Sequence, residues 1–381
     1  MAHDLLPKAG TALRSLLTRS VHINCDGLPY RFRAVPARKL LNWALVETSI
    51  LARPAYPWGW PTHLQVEPSS LCNINCKFCP VATGMDRPTG LMDPALFEKL
   101  VDEVGEYVFL ILLWDWGEPF LNPAIYRMIA HAKGRGIKVV SSTNGHVFAE
   151  GDHAERLIRS GIDTIIFAVD GISPETYQRY RGSPDQRRAI AGIRRVVEAR
   201  RRAGSDSPHV CLRFLPMKHN EHELPQLLDF ARALDVDSLT VKRMNPFHGC
   251  ESDIARASGL TFMPDSQHLR RFHLDLSGLP VRRAENPCKV MWNNPAIHWD
   301  GKVSICTFDP HDRFTLGDLR TQSFRDIWRG APYRRLRRQF RRRFEQIPLC
   351  RDCTYAFQGG SLITDHIAEA HIFRAPGNDQ G

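Results

Sequence analysis

Between residues 63 and 245 the chain alternates short apolar runs with amphipathic segments, and no other feature restricts its fold as tightly. "HLQVEPS", "YVFLILLW", "IKVVSSTNG", "IDTIIFAVDG", "HVCLRFLPM" and "DSLTVKRM" are short, apolar and bounded by turn residues, as strands are. Helical patterns separate them: "DPALFEKLVDEV", "PAIYRMIAHAKGRG", "DHAERLIRSG", "DQRRAIAGIRRVVEARRRAG" and "EHELPQLLDFARALDV". Asp93 stands where an N-cap belongs, with Pro94 at the first helical position, and Gly134 or Gly136 ends the second helix. Six such β/α units predict an α/β fold, a parallel sheet covered by helices and curved into a partial (β/α)6 TIM-like barrel. In barrels of this kind the loops after the strands form the active face. The first of those loops reads "LCNINCKFCPV" and carries Cys72, Cys76 and Cys79.

The flanks are read more coarsely. Residues 1–60 are expected to be a helical N-terminal extension packed on the main domain, because "LLPKAGTALRSLLTRS" and "ARKLLNWALVETSIL" both have helical periodicity. Residues 61–245 form the barrel, and 246–286 a linker or insertion with one helix near 265–275. Residues 287–360 form a small α+β unit, and 361–381 a tail. Within the α+β unit "AIHWDGKVSIC" reads as a hairpin, since Asp300-Gly301 is the dipeptide of a tight primed turn.

The longest apolar run, 107–114, is far too short to span a bilayer, so a cytoplasmic location is expected. Ten cysteines in an intracellular chain then argue for metal ligation rather than disulfides. The net charge of +10 comes mostly from arginines at 181–202 and 334–343. Helical spacing spreads the charges of "RRLRRQFRRRF" around a surface, which favours a solvated face over a nucleic-acid or phosphate site, and nothing argues strongly for nucleic acid or membrane.

The spacing Cys-x3-Cys-x2-Cys leaves only three thiols in mutual reach. A structural zinc wants four ligands, usually as two Cys-x2-Cys pairs, so three suggest a metal centre with an open position. On that triplet, its place after the first strand, and the motifs that follow, the chain resembles the radical S-adenosylmethionine (SAM) enzymes. The resemblance covers about 63–245. It implies that the three thiolates hold a 4Fe–4S cluster whose fourth iron chelates the amino and carboxylate groups of SAM. It further implies that Gly117 and Glu118 of "WDWGEP" bind the methionine amino group, with Trp116 standing where relatives have Gly. Asn144 of "STNG" would lie near the cofactor, Arg181 on its carboxylate, and the backbone of Phe78 against the adenine. Ala168 stands where relatives often have Ser.

Cys288 and Cys306 are separated by 17 residues, and after 43 more come Cys350 and Cys353, with no cysteine beyond. This resembles the four-cysteine "twitch" unit, a shortened SPASM domain, and implies one auxiliary 4Fe–4S cluster with every iron protein-bound. A zinc ribbon would need a second Cys-x2-Cys pair. Cys25, Cys211 and Cys250 remain; Cys211 and Cys250 are candidate hydrogen-atom donors, against the plainer reading of ordinary buried or loop thiols.

The resemblance implies an enzyme that generates a 5′-deoxyadenosyl radical, abstracts hydrogen from an unactivated C–H, and takes electrons from a donor such as flavodoxin or ferredoxin. Net oxidation or cross-linking of a ribosomal peptide, or of a sugar or aminocyclitol-type small molecule, is the first expectation. Epimerisation with a cysteine donor is the second. A non-catalytic basic iron–sulfur protein that binds nucleic acid is a rival from another class.

Overall fold

A computed structural model describes residues 14–183, 185–245, 259–272, 275, 280–359 and 370–374 of the chain. Its first strands, β1 (Val21–Cys25) and β2 (Leu28–Phe32), pair antiparallel around Asp26-Gly27, where φ is 55° and 82°. Positive φ at both loop positions is the primed turn that Asp-Gly favours. Among the described residues the expectation of a helical extension over 1–60 is met only in part: residues 14–18 and α1 (Ala37–Ala52) are helical, but a hairpin lies between them. "NCDGLP" carried the signal.

Six parallel strands form the centre: β3 (His63–Val66), β4 (Leu110–Leu112), β5 (Lys138–Thr143), β6 (Thr164–Ala168), β7 (His209–Phe214) and β8 (Ser238–Val241). They pair in chain order, as expected of a partial barrel. Helices α2 (Pro80–Thr83), α3 (Pro94–Val104), α4 (Ile125–Gly134), α5 (His153–Ser160), α6 (Pro174–Arg181), α7 (Gln186–Arg202) and α8 (Leu227–Ala233) follow or separate the strands. Asp93 caps α3 as its sequence implies, its Oδ1 accepting from Ala95 N at 2.9 Å. Helix α6 has no counterpart in the sequence reading, although Ser173-Pro174-Glu175 is a cap followed by proline and an acidic first turn.

Strand parity divides the core. Ile111, Val139, Ile165 and Leu212 pack against the helices, whereas Leu110, Leu112, Val140, Ile166 and Cys211 face the barrel interior. The β1–β2 hairpin fills that interior with Val21, Leu28, Tyr30 and Phe32. Tyr30 Oη donates to Thr164 Oγ1 (3.2 Å), and at the other end the turn residue Asp26 ion-pairs with Arg213 and, at 3.8 Å, with Lys242.

The C-terminal unit is continuous with the barrel. Strand β9 (Ala296–Ile297) adds in parallel to β3, followed outward by β10 (Lys302–Ser304) and β11 (Thr315–Asp318). The β9–β10 hairpin forms as expected, but with a looser turn. His298 and Lys302 pair across residues 299–301, and only Gly301 has positive φ (86°). At the far edge β12 (His371–Ile372) pairs with β8, so part of the expected tail belongs to the sheet. Where a helix is expected near 265–275, the described residues form a 3-10 turn, Gln267–Leu269.

Helices α9 (Val290–Asn293), α10 (Phe324–Arg329), α11 (Ala331–Arg343) and α12 (Pro348–Arg351) complete the unit. In the arginine-rich α11, Tyr333, Leu336, Arg337 and Phe340 form the buried face and most other arginines are exposed, so the helix presents a solvated basic surface. Arg337 is sandwiched 4.3 Å from the Trp328 and Tyr333 rings and donates to the Met291 and Trp328 carbonyls. Among the described residues no helix is long and apolar enough to cross a membrane.

Gly192 of α7 tests the packing. A Cβ there would lie closer than 3.0 Å to the carbonyl oxygen of Gly145, in the turn after β5, whereas at Gly134 it would meet nothing within 4 Å. Gly192→Ala should therefore destabilise the fold by about 1–3 kcal/mol. Gly134→Ala should leave thermal unfolding unchanged or slightly raised. Equal melting temperatures for the two variants would contradict this helix–strand contact.

Candidate active site at the barrel mouth

The loop after β3 is held by two close backbone approaches. Gly117 (φ 97°) lies against the backbone of Ser69, Ser70 and Leu71, and Gly182 (φ 67°) against Asn75, each leaving less than 3.0 Å for a Cβ. Only glycine meets both demands without strain. Glu118 N donates to Leu71 O (2.7 Å) and Lys77 N to Tyr180 O (3.0 Å), so strand β4 and helix α6 pin the loop from two sides. The Phe78 and Tyr180 rings pack at 4.8 Å.

The three thiols are electrostatic neighbours. Burial pushes Cys72 up to about 11, and the charges of Glu118 and Cys76 add to this. Cys79 is raised by burial and then by Cys76 and Cys72. Cys76 is raised by burial too, but Arg181 opposes the shift. Arg181 Nη1 points at Cys76 Sγ (3.8 Å) while Nη2 pairs with Asp170 at 2.6 Å. Thiolate is the metal-ligating form, so a cation beside Cys76 favours it.

Glu118 is buried and accepts from Thr143 Oγ1 (2.8 Å), Asn144 N (2.8 Å) and Phe120 N (3.2 Å). Burial raises its carboxyl to about 7 against these donors. Three donors leave about one of a carboxylate's four lone-pair sites for a ligand. Asn144 Nδ2 donates to Asn73 Oδ1 (2.7 Å) and lies 4.0 Å from Cys72 Sγ. Sequence reading missed Thr143, Asp170 and Tyr180, which hold these side chains; "FAVDG" displayed Asp170 without revealing its partner.

The C-terminal thiols also gather. Cys288 is pushed up to about 12 by burial and by Cys353; Cys306 is raised by burial, Cys288 and Cys353; Cys350 by burial and all three others. The amides of Phe308 and Tyr355 point at Cys306 Sγ (3.4 Å) and Cys353 Sγ (3.3 Å), the donor arrangement that supports a metal-bound sulfur. Among the described residues no three His, Cys, Asp or Glu side chains draw together around a single ion. The donor chemistry of both sets fits iron–sulfur clusters, which are thiolate-ligated.

A chamber of about 270 Å³ lies between the sets. Phe78, Cys79 and Gly117 line one side, Thr307 and Phe308 the other. Trp116, which replaces a glycine of the family motif, spans the gap by donating its indole N–H to Thr307 O at 2.9 Å. Thr307 Oγ1 also bonds Asp115, whose carboxyl burial raises to about 7 with help from Glu67. Of the spare thiols, Cys211 points into the barrel but is fully buried beside Thr240 Oγ1 (3.5 Å), under the hairpin and outside the chamber lining. Cys250 lies outside the described residues.

A parallel partial barrel with three thiols in its first loop and four more in a unit sharing its sheet is an arrangement suited to thiolate-ligated iron–sulfur. The family model of the Radical SAM superfamily matches residues 66–231, and that of the SPASM iron-sulfur cluster-binding domain matches 288–354. The chain carries a radical SAM domain followed by a SPASM iron-sulfur domain. Its cofactors are SAM, a SAM-binding 4Fe–4S cluster and auxiliary iron–sulfur.

An AdoMet-dependent heme synthase of Methanosarcina barkeri is 25% identical over 296 residues, covering 70% of this chain and 82% of that protein. Mycofactocin maturase MftC of Mycobacterium ulcerans is 25% identical over 298 residues, 73% and 77% respectively. The fold resembles Streptococcus suis SuiB bound to S-adenosylmethionine, with a TM-score of 0.57 at 17% identity over 91% of this chain and 81% of that one.

Gly117→Ala should displace the cysteine loop, because its Cβ would press on rigid backbone rather than on a side chain. Reconstituted variant is expected to lose about half its iron while the C-terminal thiols keep theirs, since each cluster site takes its own ligands. Full iron content would show that the contact is not needed to shape the loop.

Proposed function

We propose that this protein is a radical SAM oxidoreductase or maturase that abstracts hydrogen from an unactivated C–H and leaves an oxidised or cross-linked product. The observation that carries the reading is the single chamber walled by the Cys79 loop on one side and by the segment following Cys306 on the other. When bound, SAM with the first cluster supplies the 5′-deoxyadenosyl radical and the auxiliary cluster an electron sink.

The chain's own residues do the rest. Cys72, Cys76 and Cys79 are proposed to hold the first cluster, and Cys288, Cys306, Cys350 and Cys353 the second. Glu118 offers its remaining lone pair to the methionine ammonium, while Gly117 lets the backbone approach it. The backbone of Phe78 lies against the adenine. Arg181, braced by Asp170, holds positive charge beside Cys76 and toward the cofactor carboxylate. Asn144 steadies the loop through Asn73. The Trp116–Thr307 bond fixes the width of the chamber, and the aromatic walls exclude water from it. A peptide or a small molecule is the substrate, with a flavodoxin or ferredoxin as reductant. A radical epimerase that uses Cys211 is less well supported, because that thiol is sealed beneath the hairpin, while Cys250, the other candidate donor, lies outside the described residues.

Anaerobically reconstituted protein should carry about eight irons, and Cys72→Ala/Cys76→Ala/Cys79→Ala about four with no 5′-deoxyadenosine formed. Arg181→Ala and Glu118→Ala should keep both clusters but bind SAM more weakly, by about 1.5–3 kcal/mol each. Zinc at the C-terminal site, a third cluster, or unchanged SAM affinity in both variants would contradict the assignment. Folded Cys353→Ala should move deuterium from labelled substrate into 5′-deoxyadenosine yet release no oxidised product. Complete turnover by that variant would make the second cluster structural.

A further inference from the structure

The charge of the chamber is lopsided. Its described lining includes Arg213, Lys242, Arg243 and Arg271 but a single carboxylate, Asp115. Asp115 lies at the opposite wall, bonded to Thr307. Arg213 and Lys242 both pair with Asp26, on the tip of the N-terminal hairpin, which reaches them from below. Arg213 also donates Nε to Thr240 Oγ1 (3.3 Å) and Nη2 to the Asp26 carbonyl (3.4 Å), so its guanidinium is fixed in place. Two cations thus share one carboxylate, at a site where both side chains are mostly removed from water. Burial accordingly pulls Lys242 down to about 8, even with Asp26 beside it. A buried cation short of counter-charge is costly unless a ligand completes it. The remaining lining is apolar and flat: Trp114, Trp116, Phe78, Tyr180 and Phe308.

We propose that the chamber selects a substrate bearing an oxyanion, a carboxylate or a phosphate, seated on Arg213 and Lys242, with an apolar body held among the aromatic walls. Asp26 is then a positioning residue. It holds the two cations apart and in register, and it competes with the substrate's anion for them. The hairpin that seals the barrel thereby sets the strength of the anion site. This deepens the proposed function and rests on its reading of the chamber as the substrate site, but it is tested by binding alone.

The experiment uses the full chain with both clusters reconstituted and saturating SAM present, titrated calorimetrically with benzoate, inorganic phosphate and neutral benzamide. Benzoate or phosphate should saturate one site, and whichever binds more tightly identifies the anion; benzamide should bind at least about tenfold more weakly. Arg213→Gln and Lys242→Gln should each weaken anion binding by about tenfold or more, as loss of one charge-assisted contact does. Asp26→Asn should tighten it several-fold, an effect that damage to the fold would not produce. Arg335→Gln, on the exposed face of α11, should change nothing. Equal affinity for benzoate and benzamide, or anion binding unaltered in Arg213→Gln, would overturn the proposal. Abolition of benzoate and phosphate binding by SAM would also overturn it, assigning the cations to the cofactor. Anion binding by a protein that forms no 5′-deoxyadenosine would sink the proposed function and leave this inference standing.

Discussion

The buried ion pair between Glu67 and Arg87 joins what the rest of the molecule depends on joining. Glu67 stands at the end of β3, fully buried, and Arg87 follows the cysteine loop. Arg87 Nη1 donates to Glu67 Oε2 at 2.8 Å and its Nε to Pro310 O at 2.7 Å. Glu67 Oε2 in turn accepts from the amide of Trp299 at 3.1 Å. The strand that starts the barrel, the loop that carries three cysteines and the unit that carries four are therefore tied through one pair of side chains. Losing one partner of such a pair leaves an uncompensated buried charge, which costs about 3–5 kcal/mol. The β3–β9 pairing supplies the backbone half of the same junction.

Rigidity at that junction has a chemical use. In the proposed function a chamber between the two thiol sets works only if its width is constant, because a C–H must be aimed at one side while the other stays in reach. The Trp116–Thr307 bond and the Asp115–Thr307 bond cross the chamber wall, and both come from the residues in which "WDWGEP" departs from or precedes the family pattern. The substitution of Trp for Gly is thus a strut between modules, with Gly117 beside it still meeting the steric demand of the cysteine loop.

Much of the barrel could be read from sequence because its causes are local. Apolar runs bounded by turns, caps such as Asp93, and six repetitions of one unit determine a parallel sheet whichever helices cover it. The hairpin at 21–32 and helix α6 carry only short local signals, Asp26-Gly27 (the same kind of dipeptide as Asp300-Gly301) and Ser173 followed by Pro174, which long helical and apolar periodicities outweigh.

Cysteine spacing by itself determined two thiol sets, and strand order determined that the first lies at the mouth of a barrel. What only the tertiary structure decided was how those pieces face one another. Arg181 meets Cys76 across 105 positions of chain, and Asp26 reaches Arg213 across 187. Such pairings rest on non-local packing: the hairpin enters the barrel because strand parity turns Leu110, Val140 and Ile166 inward and leaves an apolar interior to be filled. No periodicity within a segment encodes which distant side chain will be carried into that interior. The candidate ligands are therefore legible as a list, and their arrangement only in the folded molecule.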